Sequence, residues 1–153
     1  MPTFTVSTVV PASPAAVWAR IVTPEGVNGE LMPIVRMRFP KAVRSLAPAD
    51  VPADGRLGRC WLFLFGVVPF DYDDVRLERV DEGVGFHERS TMLSQRAWEH
   101  ERTLAPEGLG TRVTDRVAFV PRVPGAGVLL APVFAAVFRH RHRRLARWAR
   151  GTT

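Results

Sequence analysis

An aspartate on an otherwise apolar strand face is the clearest sign of chemistry in the sequence. Asp115 alternates with Val113 and Val117 in a segment whose composition is typical of a β-strand. Successive side chains of a strand point to opposite faces, so Asp115 is predicted to point inward together with the valines. A carboxylate in a protein interior needs a hydrogen-bonding or charged partner, and further polar residues are therefore expected beside it.

Candidate partners occur on the two preceding segments. His100 and Arg102 share a predicted inner face with Trp98, and Glu88 shares one with Phe86. A histidine beside an aspartate suits general acid–base catalysis, so His100 and Asp115 are the candidate catalytic pair, for example for enolising a carbonyl. The same groups could instead pair with one another as a structural salt-bridge network, or line a wet ligand cavity. These interpretations are compatible, and the sequence leaves them open.

The C-terminal run FRHRHRRLARWAR is predicted to belong to one long amphipathic helix that begins near Gly127. At 100° per residue, the apolar side chains fall on one side of this helix, namely Leu130, Phe134, Val137, Phe138, Leu145 and Trp148. The opposite side carries four arginines, Arg139, Arg143, Arg147 and Arg150. We expect these arginines to form a solvated face. Binding of anionic membrane or nucleic acid by this face is the alternative.

One arginine breaks the pattern of this helix. Arg141 lies within the apolar stripe, between Val137 and Leu145. A buried guanidinium needs a carboxylate or a ligand anion. Arg141 is therefore predicted to point into the domain and to pair with Asp115 or Glu88.

The elements that must position these residues follow a simple order. A strand is predicted at 3–10, and two short helices at 14–22 and 25–31, with Ser13 and Thr23 as N-caps. Strand-like segments follow at hairpin spacing, at 34–39, 57–65, 67–80, 84–91, 96–104 and 111–120. This order indicates an α+β fold with an antiparallel meander. The aperiodic segment 41–56 is expected to be a loop, either a lid near the mouth of a cavity or a tolerated surface insertion.

Composition restricts the class of protein. The 153 residues are enough for a single domain, and the net charge of +6 is local, because the C-terminal run holds six of the 21 basic residues and no acidic one. No specific nucleic-acid partner is therefore expected. Cys60 is the only cysteine, so no intrachain disulfide can form. The longest apolar run has eleven residues, whereas a bilayer requires about 20, and we expect a cytoplasmic protein without a transmembrane segment.

Cofactor and metal motifs are missing from the sequence. One cysteine and four histidines, at 87, 100, 140 and 142, lack zinc-site spacing, and no P-loop or dinucleotide fingerprint occurs. We therefore expect neither a metal nor a cofactor.

Several segments resemble the START-like superfamily, which includes polyketide cyclase/dehydratase-type (SRPBCC) proteins and lipid-transfer domains. They are VVPASPAAVW near the start, G-x-x-G-R at 55–59, WEHERTLAPEGLGTRVTDRVAFVP, and the closing FRHRHRRL. Trp98, His100, Thr111 and Asp115 match the pattern W-x-H-x-H … G-T-x-x-x-D of one branch of the superfamily. Arg102 departs from this pattern, because it stands where the second histidine would be.

The resemblance implies a helix-grip fold, in which a curved antiparallel sheet of six to seven strands surrounds a long C-terminal helix, with two short helices after the first strand. It also implies a cavity for an apolar small molecule, such as a lipid, polyketide or fatty acid. We expect its wall to come from Trp61, Phe63, Phe86, Trp98, Phe119, Phe134 and Phe138, and its polar end from His100 and Arg102. Arg141 is a further candidate ligand-binding residue.

Two further expectations accompany this hypothesis. Because Arg102 replaces a histidine, the preferred ligand is expected to be an acid. The alternative is a cyclase- or dehydratase-type enzyme that uses His100 and Asp115 in the same cavity. We expect a monomer or homodimer whose basic helix makes at most weak contact with an anionic membrane.

Overall fold

The alternating segments form one curved antiparallel sheet of seven strands in the structure, a computed structural model that describes residues 1–151. The elements in chain order are β1 (Thr3–Val10), α1 (Pro14–Ile21), α2 (Pro24–Leu31), β2 (Val35–Arg38), β3 (Arg56–Leu64), β4 (Val68–Asp81), β5 (Gly85–Met92), β6 (Gln95–Glu107), β7 (Gly110–Pro121) and α3 (Gly127–Gly151). The strands lie in the order β1-β7-β6-β5-β4-β3-β2. The predicted α+β helix-grip architecture is confirmed.

The two short helices begin where the capping signals predict. The Ser13 hydroxyl accepts a hydrogen bond from the Ala16 N–H at 3.2 Å, and the Thr23 hydroxyl accepts one from the Gly26 N–H at 3.0 Å. A proline follows each cap at the first helical position, where its missing N–H costs nothing. These caps fix the start of α2 and therefore the side of that helix that faces the interior.

The long helix α3 packs against β1 and α2. Its buried side chains include Phe138, Leu145 and Ala149, and the ring of Phe138 meets that of Phe4 edge-on at 5.5 Å. The four arginines of the opposite side are exposed as expected: Arg139, Arg143, Arg147 and Arg150. No helix within residues 1–151 has the length and apolar character that a membrane span requires.

The loop between β2 and β3 is irregular apart from one 3-10 turn at Pro48–Asp50. It is anchored by Leu46, which is buried and donates its N–H to the carbonyl of Val22 at 2.7 Å. The loop ends at Gly55, whose φ of +74° favours glycine and where a Cβ atom would lie 2.1 Å from the Leu77 carbonyl oxygen. The first glycine of the G-x-x-G-R motif thus serves the close approach of this loop to β4.

The exposed arginines of α3 should contribute little to stability. Replacing Arg139, Arg143 and Arg147 by Gln should change the free energy of unfolding by less than about 0.5 kcal/mol per site, because all three are exposed. Arg144→Gln is a matched control, since Arg144 Nε donates to the Gly29 carbonyl at 3.0 Å and its loss should cost about 1 kcal/mol. Urea denaturation measures both effects. A large loss of stability in the triple variant would contradict the solvated face.

Candidate functional site

A cavity of about 280 Å³ lies between the sheet and α3. Most of its wall is aliphatic or aromatic, and six of the residues expected at the site line it: Phe86, Trp98, His100, Phe134, Phe138 and Arg141. Its polar lining consists of Asp71, Asp73, Glu88, His100 and Arg141. The volume is slightly below the range of about 300–1,000 Å³ that is usual for small-molecule sites, so the cavity suits a small ligand.

Three lining residues mark where the cavity opens to solvent. Leu64, Phe70 and Val133 line the cavity although their exposed fractions are 36%, 46% and 54%. They belong to the β3–β4 hairpin and to the early turns of α3. The loop 41–56 contributes the buried Leu46 instead. The mouth therefore lies between the hairpin and α3, and a lid role for the loop stays a prediction.

Two of the expected wall residues point away from the cavity. In β3 the residues that line it are Leu62 and Leu64, so Trp61 and Phe63 lie on the opposite face of the strand. Trp61 is 38% exposed and packs edge-on against Tyr72 at 5.3 Å between ring centroids. The expectation failed because β3 is apolar on both faces, so its alternation gave no indication of which face points inward.

Phe119 and Arg102 are buried outside the cavity wall. Phe119 is fully buried and meets the ring of Phe134 at 4.9 Å, so it supports the wall without being part of it. Arg102 is 1% exposed and does not line the cavity either. Its expected role at the polar end does not agree with this position, because carboxylates already surround its guanidinium.

Arg102 lies between two buried carboxylates. Its Nη1 and Nη2 donate to Glu30 at 2.9 and 2.8 Å, and its Nε and Nη2 donate to Asp115 at 2.8 and 2.7 Å. Both contacts are bidentate, the geometry in which arginine binds carboxylates most strongly. Burial alone would raise the pKa of Asp115, but Arg102 and His100 hold it well below its usual range.

Glu30 was not anticipated as a member of this cluster. It lies on α2, is 2% exposed, and also accepts a hydrogen bond from Arg141 Nε at 3.2 Å. Arg141 is buried and paired as expected, but the predicted partners Asp115 and Glu88 are wrong. A helical period could have identified Glu30, because it lies three residues after the buried Val27 on the inner side of α2.

A second histidine completes the cluster. His142 of α3 places Nε2 2.6 Å from Asp115 Oδ2, and His100 of β6 places Nε2 2.7 Å from Asp115 Oδ1. The sequence predicts no role for His142, because the four histidines lack zinc-site spacing. Its position four residues after Phe138 and three before Leu145 puts it on the buried side of α3, and this spacing was the available signal.

His100 faces a carboxylate from each side. Besides Asp115 at Nε2, Glu88 Oε1 lies 3.8 Å from its Nδ1, and Glu88 Oε2 accepts a hydrogen bond from Ser90 at 2.8 Å. Burial tends to lower the pKa of His100, but Asp115 and Glu88 raise it above its ordinary value. This favours the imidazolium form, which is a poor general base and a competent general acid.

The ionic cluster and the cavity are adjacent. Glu88, His100 and Arg141 belong to both, whereas Glu30, Arg102, Asp115 and His142 lie behind the wall. The polar groups are therefore largely paired with one another, and the apolar cavity lies beside them. Within residues 1–151 no group of three or more histidine, cysteine, aspartate or glutamate side chains has a geometry suited to a metal ion.

Arg102 should contribute more to stability than any exposed arginine. Arg102→Met removes the charge but keeps an unbranched side chain, and should lower the free energy of unfolding by about 3–5 kcal/mol because Glu30 and Asp115 lose their main partner. Arg112→Met is the control, since Arg112 is 43% exposed and pairs with Glu107 in solvent, so its loss should cost less than about 1 kcal/mol. Equal effects in urea denaturation would contradict this interpretation.

The contribution of His100 to stability should decrease as the pH rises. Because the folded-state pKa of His100 lies above its ordinary value, its ion pairs are fully present below about pH 6.5 and are lost as the pH rises through the folded-state pKa. The difference in the free energy of unfolding between wild type and His100→Gln should shrink accordingly, as measured by urea denaturation from about pH 6 to 9.

Asp115→Asn should show the opposite pH dependence. Because the pKa of Asp115 is lowered in the folded state, its contribution to the free energy of unfolding is present above about pH 4 and is lost as the pH falls through the folded-state pKa. A His100 contribution that grew with rising pH would show that the histidine is buried in its neutral form.

Comparison with known proteins agrees with this architecture. Protein CV1439 from Chromobacterium violaceum aligns with a TM-score of 0.75 at 14% identity, over 97% of this chain and 98% of that one. A START superfamily protein from Mycobacterium smegmatis gives 0.70 at 13% identity, over 99% of both chains, and Ara h 8.0201 gives 0.62 at 11% identity, over 98% of both.

These identities establish the fold alone, a helix-grip fold that the START superfamily protein from Mycobacterium smegmatis shares. No curated protein matches the sequence. A family model described as "Domain of unknown function (DUF8410)" matches residues 8–149, which is most of the chain. The chain therefore belongs to this DUF8410 family.

Proposed function

We propose that the protein binds an apolar small molecule in the cavity between the sheet and α3. The observation that carries this proposal is the wall itself, which combines about 280 Å³ of space with mainly aliphatic and aromatic side chains. Water molecules inside such a cavity find few hydrogen-bond partners, because most of its lining is apolar. An apolar ligand would instead bury the apolar wall, together with its own surface, away from solvent.

The shape of the mouth supports the same proposal. Leu64, Phe70 and Val133 are exposed apolar side chains on the rim, and Phe65 and Val67 of the same hairpin are 66% and 74% exposed. These rim side chains are apolar, as is most of the interior. An apolar ligand that enters between them therefore does not have to strip water from a charged group. The START-like neighbours are consistent with this kind of ligand.

The expectation of an acidic ligand loses its basis. It depended on Arg102, whose charge is neutralised by two carboxylates behind the wall. Arg141 remains in the wall, but it is paired with Glu30 at 3.2 Å. Among the described residues of the wall, each cationic group is therefore already paired with a carboxylate of the protein, and none is left to bind a ligand carboxylate.

Catalysis is the second candidate, and one observation favours it. His100 lies in the wall, and its pKa is raised by the adjacent carboxylates. A histidine that holds its proton could donate it to a departing hydroxyl group, as a dehydratase requires, whereas enolisation would require a free base. This candidate depends on the same cavity and requires ligand binding first.

Filling the cavity should abolish ligand binding. Leu62→Trp adds volume on the cavity side of β3, whereas Phe63→Trp places the same side chain on the opposite face of the same strand. Naphthalene, a probe without polar groups, should bind the wild type and Phe63→Trp but not Leu62→Trp. Isothermal titration calorimetry measures binding, and urea denaturation verifies that both variants are folded.

Two results would contradict the proposal. One is the absence of naphthalene binding to the wild type, which would leave only a packed interior beside the ionic cluster. The other is equal binding by Leu62→Trp, which would locate the probe elsewhere on the surface.

A further inference from the structure

Exposed apolar side chains collect at one end of the molecule. Among residues 1–151, ten of the fifteen large apolar side chains that are exposed lie at the end of the sheet where the cavity opens. Five of the ten belong to the β3–β4 hairpin and three to the first two turns of α3, and the other two are Leu93 and Val123. Single exposed apolar side chains are normal, whereas a group of them at one place marks a site of interaction.

Backbone hydrogen bonds bring the turns at this end together. The Leu93 N–H in the β5–β6 turn donates to the Tyr72 carbonyl of β4 at 3.1 Å, and the Arg122 N–H donates to the carbonyl of Ser94 in the same turn at 3.1 Å. The Phe65 N–H of the hairpin donates to the carbonyl of the residue before β2 at 2.7 Å. We call this surface the apolar end, and it consists of residues 31–36, 63–70, 91–96 and 121–133.

The charges of the apolar end are all positive. None of its residues is acidic, and it contains Arg36, Arg96 and Arg122. All three arginines are exposed, and none of them forms an ion pair among the residues that the structure describes. The exposed Arg112, in contrast, is paired with Glu107 at 2.9 Å. Apolar side chains beside unneutralised arginines are the combination that attaches proteins to bilayers with anionic lipids.

Phe65 stands at a position whose backbone favours other residues. In the turn from Leu64 to Val67, Phe65 and Gly66 have φ values of +54° and +79°, and the Val67 N–H donates to the Leu64 carbonyl at 3.1 Å. Positive φ at both central positions is the pattern of a type I′ turn, which favours Asn, Asp and Gly, and a bulky side chain there is strained. Because Phe65 is also 66% exposed, packing within the chain does not account for the ring.

We propose that the apolar end is a docking surface for a lipid bilayer that contains anionic lipids. Phe65, Val128 and Leu129, which are 66%, 82% and 74% exposed, would enter the layer between the headgroups and the acyl chains. The three arginines would contact lipid phosphates around them. Because the cavity opens at this end, an apolar molecule would pass between bilayer and interior without crossing water.

A second copy of the chain fits this surface less well than a bilayer does. In a two-fold symmetric dimer, the same surface of each copy faces its equivalent. Arg36, Arg96 and Arg122 would then lie close to the same three arginines, with no carboxylate from the apolar end of either copy, and like charges across an interface are unfavourable. An anionic bilayer supplies the opposite charge over the whole surface.

Co-sedimentation with lipid vesicles tests this inference. The wild type should bind vesicles of equal parts phosphatidylcholine and phosphatidylglycerol more tightly than vesicles of phosphatidylcholine alone, and added salt should weaken the binding. Phe65→Asn should lower the partition coefficient on the mixed vesicles roughly tenfold, because it removes a ring from the lipid layer. Since asparagine suits the turn, this variant should be at least as stable as the wild type in urea denaturation, which a structural role of the ring would not predict.

Matched variants locate the effect on the surface. Leu109 is fully exposed at the tip of the β6–β7 hairpin, at the opposite end of the sheet, so Leu109→Asn should leave vesicle binding unchanged. The double variant Arg36→Gln/Arg96→Gln should bind the mixed vesicles roughly tenfold more weakly. Arg143→Gln/Arg147→Gln removes the same charge from the solvated face of α3 and should stay within about twofold of the wild type.

Three results would overturn this inference. They are no binding of the wild type to the mixed vesicles, equal binding by Phe65→Asn, and a wild-type dimer that Phe65→Asn converts to a monomer in light scattering, which would make a second copy the occupant. The inference and the proposed function fail separately. Vesicle binding without naphthalene binding would overturn only the proposed function, and naphthalene binding without vesicle binding would overturn only the docking surface.

Discussion

The pairing of Arg102 with two carboxylates is the interaction on which the interior depends. Glu30 belongs to α2 and Asp115 to β7, so one guanidinium joins a helix to the sheet across 72 residues of sequence. All three side chains are almost completely buried, and burial alone opposes every one of these charges. The cluster is stable because each charge has an opposite charge at hydrogen-bond distance, and removal of one member would leave an uncompensated charge in a medium of low polarity.

The same two carboxylates also position α3. Asp115 binds His142 at 2.6 Å and Glu30 binds Arg141 at 3.2 Å, so two consecutive residues of the helix contact opposite sides of the cluster. Apolar packing is non-directional, whereas these hydrogen bonds fix both the rotation and the translation of α3 over the sheet. Val133, Phe134 and Val137, one to two turns earlier, are then held at the cavity wall. The size of the cavity is thus linked to the geometry of the cluster.

Sequence patterns predicted the parts of this arrangement that depend on local periodicity. Asp115 and His100 could be assigned to the inner face because polar and apolar side chains alternate along β6 and β7. Trp61 could not be assigned, because β3 has apolar side chains on both faces and the choice between them depends on its pairing with β2 and β4. Glu30 and His142 lie at helical spacing from buried apolar residues, which places both on the inner side of their helices. In α2 this period is short, because the helix has only eight residues, and in α3 the many charged residues favour assignment to the solvated side.

Local sequence patterns could not predict which residues pair with the buried charges. The spacing in α3 indicates that Arg141 needs an anion, but Glu30 lies 111 residues away, and no local pattern relates the two positions. Such features are properties of the assembled interior, and the sequence only limits the set of candidates.

The four hydrogen bonds of Arg102 limit which side chains can stand at position 102. An imidazolium has two N–H donors and cannot form the four hydrogen bonds that Arg102 makes to Glu30 and Asp115. A lineage with histidine at this position would therefore be expected to lack the carboxylate at position 30. The order of change also matters: if Glu30 is lost first, Arg102 keeps Asp115 as a partner, whereas loss of Arg102 first leaves two buried anions without their shared cation. Because Glu30 and Arg102 hold each other's buried charge, we expect positions 30 and 102 to change together among relatives of this chain.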